Sequence, residues 1–196
     1  MAIYSISVKI QKLFLHCLRA DKPCRKSLFS EIQGVSIMTV KVLFICHGNI
    51  CRSPMAEFIF KDIVKNKGTS HLFEIASAAT SSEEIWNGVG NPVFPPARAE
   101  LAKHGISCEG KRARQIIPSD YDYYDFLICM DSMNVRNAER ILGHKGNSKL
   151  RKLLEFAARR DDVADPWYTN RFDVTYNDVL EGCSAFYKYL EQNKMI

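Results

Sequence analysis

The chain has 196 residues, 46% of them hydrophobic and 25% charged, with seven Cys, ten Gly and seven Pro; this suits one globular domain with an appendage and excludes a disordered, collagenous or disulfide-scaffold chain. No uncharged run approaches the ~20 residues that a membrane-spanning helix needs. The net charge of +5 is uneven: residues 1–38 hold six basic and two acidic side chains and the remainder holds 21 and 20, so a nucleic-acid footprint would have to lie in the first segment.

Within residues 1–38, Ile3, Ile6, Ile10, Leu13, Phe14 and Cys17 fall at helical spacing, while Tyr4, Ile6, Val8 and Ile10 fit a strand equally well. Eight residues precede the first Lys, against the order of a secretory signal. The segment reads as a weakly ordered appendage, with a targeting or membrane-surface segment as the alternative. Met38, just before the first convincing strand, is a possible translation start.

From there the pattern is regular. Val40–Cys46 (VKVLFIC) is a near-continuous apolar, β-rich run, the mark of a strand buried on both faces. HGNICRS follows, then Pro54, after which Met55, Phe58, Ile59 and Ile63 recur at helical spacing as far as Lys67-Gly68. Ser53 is the expected N-cap, with Pro54 at the first helical position. Phe73–Ala79 reads as a strand, Pro95-Pro96 opens a helix that stops at His104-Gly105, and Phe126–Met130 is another buried strand, followed by a helix over Ser132–Leu142. Leu150–Phe156 contains a fourth strand, and Val179, Leu180, Cys183, Phe186, Tyr187 and Leu190 mark the apolar stripe of a terminal helix. Strands alternating with helices predict a three-layer α/β/α domain on a four-stranded, mainly parallel sheet. Such sheets bind ligands beyond the carboxyl ends of their strands, which directs attention to the loop after the first one.

That loop is Cys46-His47-Gly48-Asn49-Ile50-Cys51-Arg52-Ser53. Curled into a cradle, its backbone N–H groups converge on one point and the following helix adds its dipole. Gly48 and Asn49 are residue types that tolerate left-handed backbone. Arg52 can return its planar fork to the same point and bind two phosphate oxygens. An ordinary thiol is only a few per cent ionised at neutral pH, and a helix N-terminus with a guanidinium raises that fraction, so Cys46 is the expected nucleophile. Ser53 can donate a hydrogen bond to the thiolate.

CHGNICRSPMAE resembles the active-site signature of the low-molecular-weight protein tyrosine phosphatases, with its Cys-x5-Arg-Ser core placed between VKVLFI and SPMAE. The resemblance continues in Ser77-Ala-Ala-Thr-Ser81, Lys103-His-Gly-Ile106, Arg112-Ala-Arg-Gln-Ile116, Cys129-Met-Asp131 and Asp165-Pro-Trp-Tyr168. It implies a phosphatase domain over 39–196, with 1–38 outside it. It also implies a cysteinyl-phosphate intermediate on Cys46, Arg52 and the loop residues His47 to Ser53 around the phosphate, and Asp165 as the acid. General acid–base help of that kind is typically worth ~10²–10⁴ in rate. Trp167 and Tyr168 match aromatic positions beside the cleft, and Trp86 is the expected opposite wall. His47 stands where many members carry a small or apolar residue, and Lys111 where the family often carries a histidine that supports the loop asparagine.

The expected substrates are phosphotyrosine-containing proteins, without metal, cofactor, nucleic acid or membrane, and the enzyme is expected to be a cytoplasmic monomer. Cys-x4-Cys lacks the second ligand pair of a zinc site. Cys51 could form a reversible disulfide with Cys46. Cys108, Cys129 and Cys183 read as structural, as do His16, His71, His104 and His144; Asp131 is expected to order the loops and Arg114 to serve as an ion-pair partner. Three other functions compete: a phosphoarginine phosphatase, whose members tend to have threonine where Ile50 stands; an arsenate reductase, which needs a cysteine relay near residues 108–129; and a phosphopeptide-binding module without turnover.

Overall fold

A computed structural model of the chain describes residues 39–143 and 149–196; the readings made of residues 1–38 and of His144 lie outside them. Strand β1 (Val40–Cys46) runs into the seven-residue loop and helix α1 (Arg52–Asn66), and β2 (Phe73–Ala79) returns beside it. A hairpin, β3 (Ile85–Trp86) and β4 (Val89–Gly90), precedes α2 (Pro95–Lys103) and the short α3 (Asp120–Tyr123). Then come β5 (Phe126–Cys129), α4 (Ser132–Leu142), β6 (Leu150–Lys152), a short α5 (Pro166–Thr169) and the long α6 (Phe172–Gln192). The four-stranded sheet has the order β2-β1-β5-β6 with every pairing parallel.

The apolar run of β1 is explained by its central place, because alternate side chains enter different cores. Val42, Phe44 and Cys46 face a cluster built with Met55, Ile59 and Phe60 of α1 and Val179, Cys183 and Phe186 of α6. Leu43 and Ile45 face the other cluster, with Leu127, Ala138 and Leu142. Phe44 and Phe60 meet edge-on, ring centroids 5.8 Å apart, a geometry that adds about 0.5–1.5 kcal/mol to the burial of each ring. The three-layer α/β/α expectation holds, and the loop is carried at the C-terminal end of the most buried strand.

Two details differ from the sequence reading, the helix cap and a hairpin, and the fourth strand is narrowed within its expected range. The α1 helix begins at Arg52 with Cys51 as N-cap and no side chain capping it; Ser53 lies inside the first turn and directs its hydroxyl to Cys46 instead. The fourth strand is only Leu150–Lys152, after which a 3-10 turn buries Leu153 and Leu154. A Cβ on Gly182 of α6 would lie 2.5 Å from Leu153 Cγ, so that turn needs the glycine. The hairpin was not expected, although Asn87 (φ 49°) and Gly88 (φ 78°) at its tip form the Asn-Gly pair that favours a tight two-residue turn.

Candidate active site

The loop curls as its composition implies, but the two residues singled out for left-handed backbone divide the work. Asn49 takes the left-handed conformation, at φ 57°. Gly48 does not; a Cβ there would lie 3.1 Å from Glu84 Cγ, close enough that the Glu84 side chain would have to shift by a few tenths of an ångström. Cys46 sits on the floor, 3% exposed. Its Sγ receives the Asn49 backbone N–H at 3.3 Å and lies 3.0 Å from Ser53 Oγ.

The direction of that last hydrogen bond can be read from the network behind it. Glu57, on the first turns of α1 and 4% exposed, accepts from Ser77 Oγ at 2.6 Å. A carboxylate cannot donate, so the Ser77 proton points to Glu57 and the Ser77 oxygen must accept from Asn49 Nδ2 at 2.8 Å. The second Asn49 Nδ2 proton goes to Ser53 Oγ at 2.9 Å, while Asn49 Oδ1 accepts the Arg114 backbone N–H at 3.1 Å. The Ser53 oxygen thus accepts from Asn49, and its one proton has two acceptors within reach, Cys46 Sγ at 3.0 Å and the Ala78 carbonyl at 3.4 Å, of which the sulfur is the nearer. A buried acid two residues along the chain from Met55 thus orients, through Ser77 and Asn49, the hydroxyl beside Cys46.

Glu57 is paired with Lys111 Nζ at 2.9 Å and Lys61 Nζ at 2.5 Å. Burial alone would raise its carboxyl, but Lys111 and the hydrogen bonds from Lys61 and Ser77 outweigh burial and hold it below its ordinary value. The same burial pulls the Lys111 ammonium down, so the cluster is held by the donors converging on Glu57 more than by one attraction. Lys111 Nζ also donates to the Ser77 carbonyl at 3.1 Å. It supports Asn49 through Ser77 and Glu57, a role that needs no acceptor on Lys111 itself.

Arg52 is 4% exposed and its fork is held from two sides. Nη1 meets Asp131 Oδ2 and Nη2 meets Asp165 Oδ2, both at 2.6 Å. Each carboxylate is fixed in turn by capping a helix: Asp131 accepts the Asn134 N–H of α4 at 2.6 Å, and Asp165 accepts the Trp167 N–H of α5 at 3.0 Å. Burial works against the Arg52 charge, but Cys46, Asp165 and Asp131 outweigh it and raise its proton affinity. Cys51 behaves in the opposite way to a nucleophile: burial first, then the charge of Cys46, push its thiol up to about 12. Cys108, Cys129 and Cys183 are buried with thiols likewise raised by burial.

Cys46, Arg52 and Asp165 open into one cavity of about 460 Å³, together with His47, Gly48, Ile50 and Cys51. Asn49 and Ser53 lie behind this surface. Trp167 and Tyr168 line it and are 61% and 86% exposed; the Trp167 ring leans on Phe94 at 5.5 Å. Trp86 is not brought there but projects from the hairpin, 71% exposed. The rim is completed by Met133, Glu83 and Glu84, which the sequence reading did not select. His47 Nε2 pairs with Glu83 Oε2 at 2.9 Å. Of the other expectations, Arg114 does pair with Asp120, at 2.9 Å, and Asp131 joins Arg52 of the loop to the start of α4.

A thiol on the floor of the loop, a buried guanidinium and a carboxyl held on that guanidinium are the groups that nucleophilic attack, oxyanion binding and proton transfer call for. The sequence pattern of the low molecular weight phosphotyrosine protein phosphatases matches residues 41–195. Over 159 residues the chain is 35% identical to the low molecular weight protein-tyrosine-phosphatase YfkJ of Bacillus subtilis, covering 80% of this chain and 99% of that protein. The crystal structure of YfkJ superposes with a TM-score of 0.74 over 80% of this chain and 97% of its own. The low molecular weight phosphotyrosine protein phosphatase of Rattus norvegicus is 39% identical over 152 residues, 74% of this chain and 92% of that one. A Drosophila arginine phosphatase shares the fold at 28% identity and a TM-score of 0.68, covering 76% of this chain and 97% of its own. With residues 41–195 matching the family pattern and a 35% identical relative covered almost end to end, this chain belongs to the low molecular weight phosphotyrosine protein phosphatase family.

Proposed function

We propose that the enzyme hydrolyses phosphotyrosine in protein substrates in two steps, with Cys46, Arg52 and Asp165 as its catalytic residues. Two oxygens of the entering phosphate take over the Arg52 fork, displacing Asp165 from Nη2, and the loop amides hold the rest. The freed Asp165 takes up a proton from solvent. Cys46 Sγ attacks phosphorus as the P–O bond to the phenol breaks, and Asp165 gives its proton to the departing oxygen. A water then attacks the cysteinyl-phosphate, Asp165 takes its proton, the S–P bond breaks and inorganic phosphate leaves with the thiolate restored. The equatorial oxygens are stabilised by the backbone amides and Arg52 throughout. His47, Gly48, Ile50 and Cys51 shape the cradle, Asn49 and Ser53 hold its conformation and the thiolate, and Trp167 and Tyr168 wall the phenyl ring.

The observation that carries this reading is the contact of Asp165 Oδ2 with Arg52 Nη2 at 2.6 Å in the cavity that also exposes Cys46. Ile50 on that surface is the apolar residue an aromatic substrate calls for. Residues 39–196 serve as the catalytic domain, a boundary supported by the family match over 41–195, and the enzyme acts as a cytoplasmic monomer with residues 1–38 as an extension. A panel of aryl phosphate, phosphotyrosyl peptide, phosphoarginine and arsenate tests it: the first two should be turned over fastest. Cys46→Ser should abolish turnover, and Asp165→Ala should slow it ~10²–10⁴-fold while substrate still binds. Faster turnover of phosphoarginine, or binding without turnover by the unaltered chain, would overturn the assignment.

A further inference from the structure

The rim of the cavity has an unusual charge for a site that receives a phosphate. Among the described residues, its lining includes four carboxylates, those of Glu83, Glu84, Asp131 and Asp165, against one guanidinium and one imidazole, with no lysine and no second arginine. Two of the four carboxylates, Asp131 and Asp165, are committed to Arg52. The other two come from the segment between β2 and β3 and have no cation of that kind. Glu84 Oε2 is held by the Asn91 side-chain amide at 2.7 Å, and Glu83 by the ring of His47. Glu83 is largely open to solvent, its side chain 72% exposed. These hydrogen bonds fix two acids side by side at the mouth.

A phosphotyrosyl peptide bound here would place its phosphate on the cradle, its ring against Trp167 and its neighbouring residues at the level of this acidic edge. Acidic neighbours would be repelled there, and basic ones would offset the field that the dianion itself has to cross. We propose that Glu83 and Glu84 form a subsite for a cationic side chain, so that the enzyme prefers phosphotyrosine flanked by lysine or arginine. This rests on the phosphotyrosine reading above and adds to it a class of sequence context. Because the two acids lie at the rim, the effect belongs to rim electrostatics: modest in size, expressed in kcat/KM and weakened by salt.

The test uses the full chain, an aryl phosphate and three phosphotyrosyl peptides that differ only in carrying Arg, Ala or Glu on either side of the phosphotyrosine. At low ionic strength kcat/KM should fall in the order Arg, Ala, Glu, with about a tenfold span that contracts in high salt. In the double variant Glu83→Gln, Glu84→Gln the span should shrink to about twofold or less. Gln keeps an acceptor for Asn91 and for His47, so the rim can retain its shape. Equal rates for the three peptides, a preference for the Glu-flanked one, or a span that survives the double substitution or high salt would overturn the subsite while leaving the phosphatase reading intact. No turnover of the aryl phosphate or of any peptide would overturn both.

Discussion

The underside of the phosphate loop and its rim are built on opposite principles. Beneath Cys46 four buried polar side chains are linked in series: Glu57 fixes Ser77, Ser77 accepts from Asn49, and Asn49 donates to Ser53. At the rim, His47 and Glu83 are 53% and 72% exposed along their side chains and are joined by one hydrogen bond in water. A buried network turns the loss of any member into an unsatisfied group, whereas a solvated pair loses little when broken. Changes below the loop should therefore alter the chemistry for every substrate, and changes at the rim should alter only which substrates are favoured.

After Cys46 and Asp165, the largest effect should come from Arg52, which is buried like the floor yet faces the cavity. Arg52→Lys keeps the charge but loses the planar fork that can serve Asp131, Asp165 and two phosphate oxygens. It should lower kcat/KM for an aryl phosphate by about 10²–10³-fold, the scale of losing an oxyanion donor. Steady-state kinetics and phosphate product inhibition check this; a loss under tenfold would show that the backbone amides alone hold the oxyanion.

Next in size is Glu57. Glu57→Gln removes the charge, and the new side-chain amide can donate to Ser77, reversing the polarity of the chain that ends on the sulfur. Turnover should fall about tenfold on all substrates alike, the scale of a hydrogen bond to a charged group. A purely structural role would leave the pH dependence of Cys46 alkylation unmoved; here that profile should shift toward higher pH. Stability should fall by about 3 kcal/mol at neutral pH because Lys111 loses its buried partner. The sign with pH follows from Glu57 being held below its ordinary value. Its stabilisation is complete above the unfolded carboxyl range, near pH 4.3, and is lost as pH falls through the lower folded value. The stability gap between wild type and variant should therefore close in acid, as denaturant titrations at a series of pH values would reveal.

This contrast also marks how far the sequence could be read. The three-layer fold was legible because β1 carries an unbroken apolar run and the helices carry clear stripes. Cys46, Arg52 and Asp165 were legible because each belongs to a compact local motif. Glu57 was not, because an acid within SPMAEFIF looks like an ordinary solvated helical residue; its burial depends on Ser77 and Lys111, 20 and 54 positions away. Lys111 stands at the family's histidine position but, as a charged ammonium, cannot accept from Asn49; the structure inserts a carboxylate and a hydroxyl between them. Trp86 was assigned to the cavity from its loop, but the Asn87-Gly88 turn carries it out on a hairpin instead. Glu83 and Glu84 gave no signal, since two acids in a polar segment describe any surface.

Two neighbouring thiols offer a narrower test of the same contrast. Cys46 and Cys51 lie in one loop and line one cavity, but Cys51 is pushed up to about 12 by burial and by the charge of Cys46. Brief iodoacetate treatment at neutral pH should label Cys46 and spare Cys51, since the thiolate is the form that reacts. Peptide mass spectrometry reads this directly, and comparable labelling of both would show that the loop amides do not discriminate between them.

The smallest effect belongs to the exposed aromatic wall. Trp167 leans on Phe94, yet 61% of it is open to solvent, so Trp167→Ala should cost the fold little. What it removes is a flat face for the phenyl ring, worth about 0.5–1.5 kcal/mol in an aromatic pair, or roughly two- to tenfold in KM. The loss should appear with phosphotyrosyl peptides and aryl phosphates but not with an alkyl phosphate, which has no ring to lay against it. Kinetics on matched aryl and alkyl substrates separate the two cases. An equal loss on both would mean that Trp167 acts instead through Asp165, whose carboxylate its backbone N–H holds at 3.0 Å, and would move this residue from the rim to the side of the chemistry.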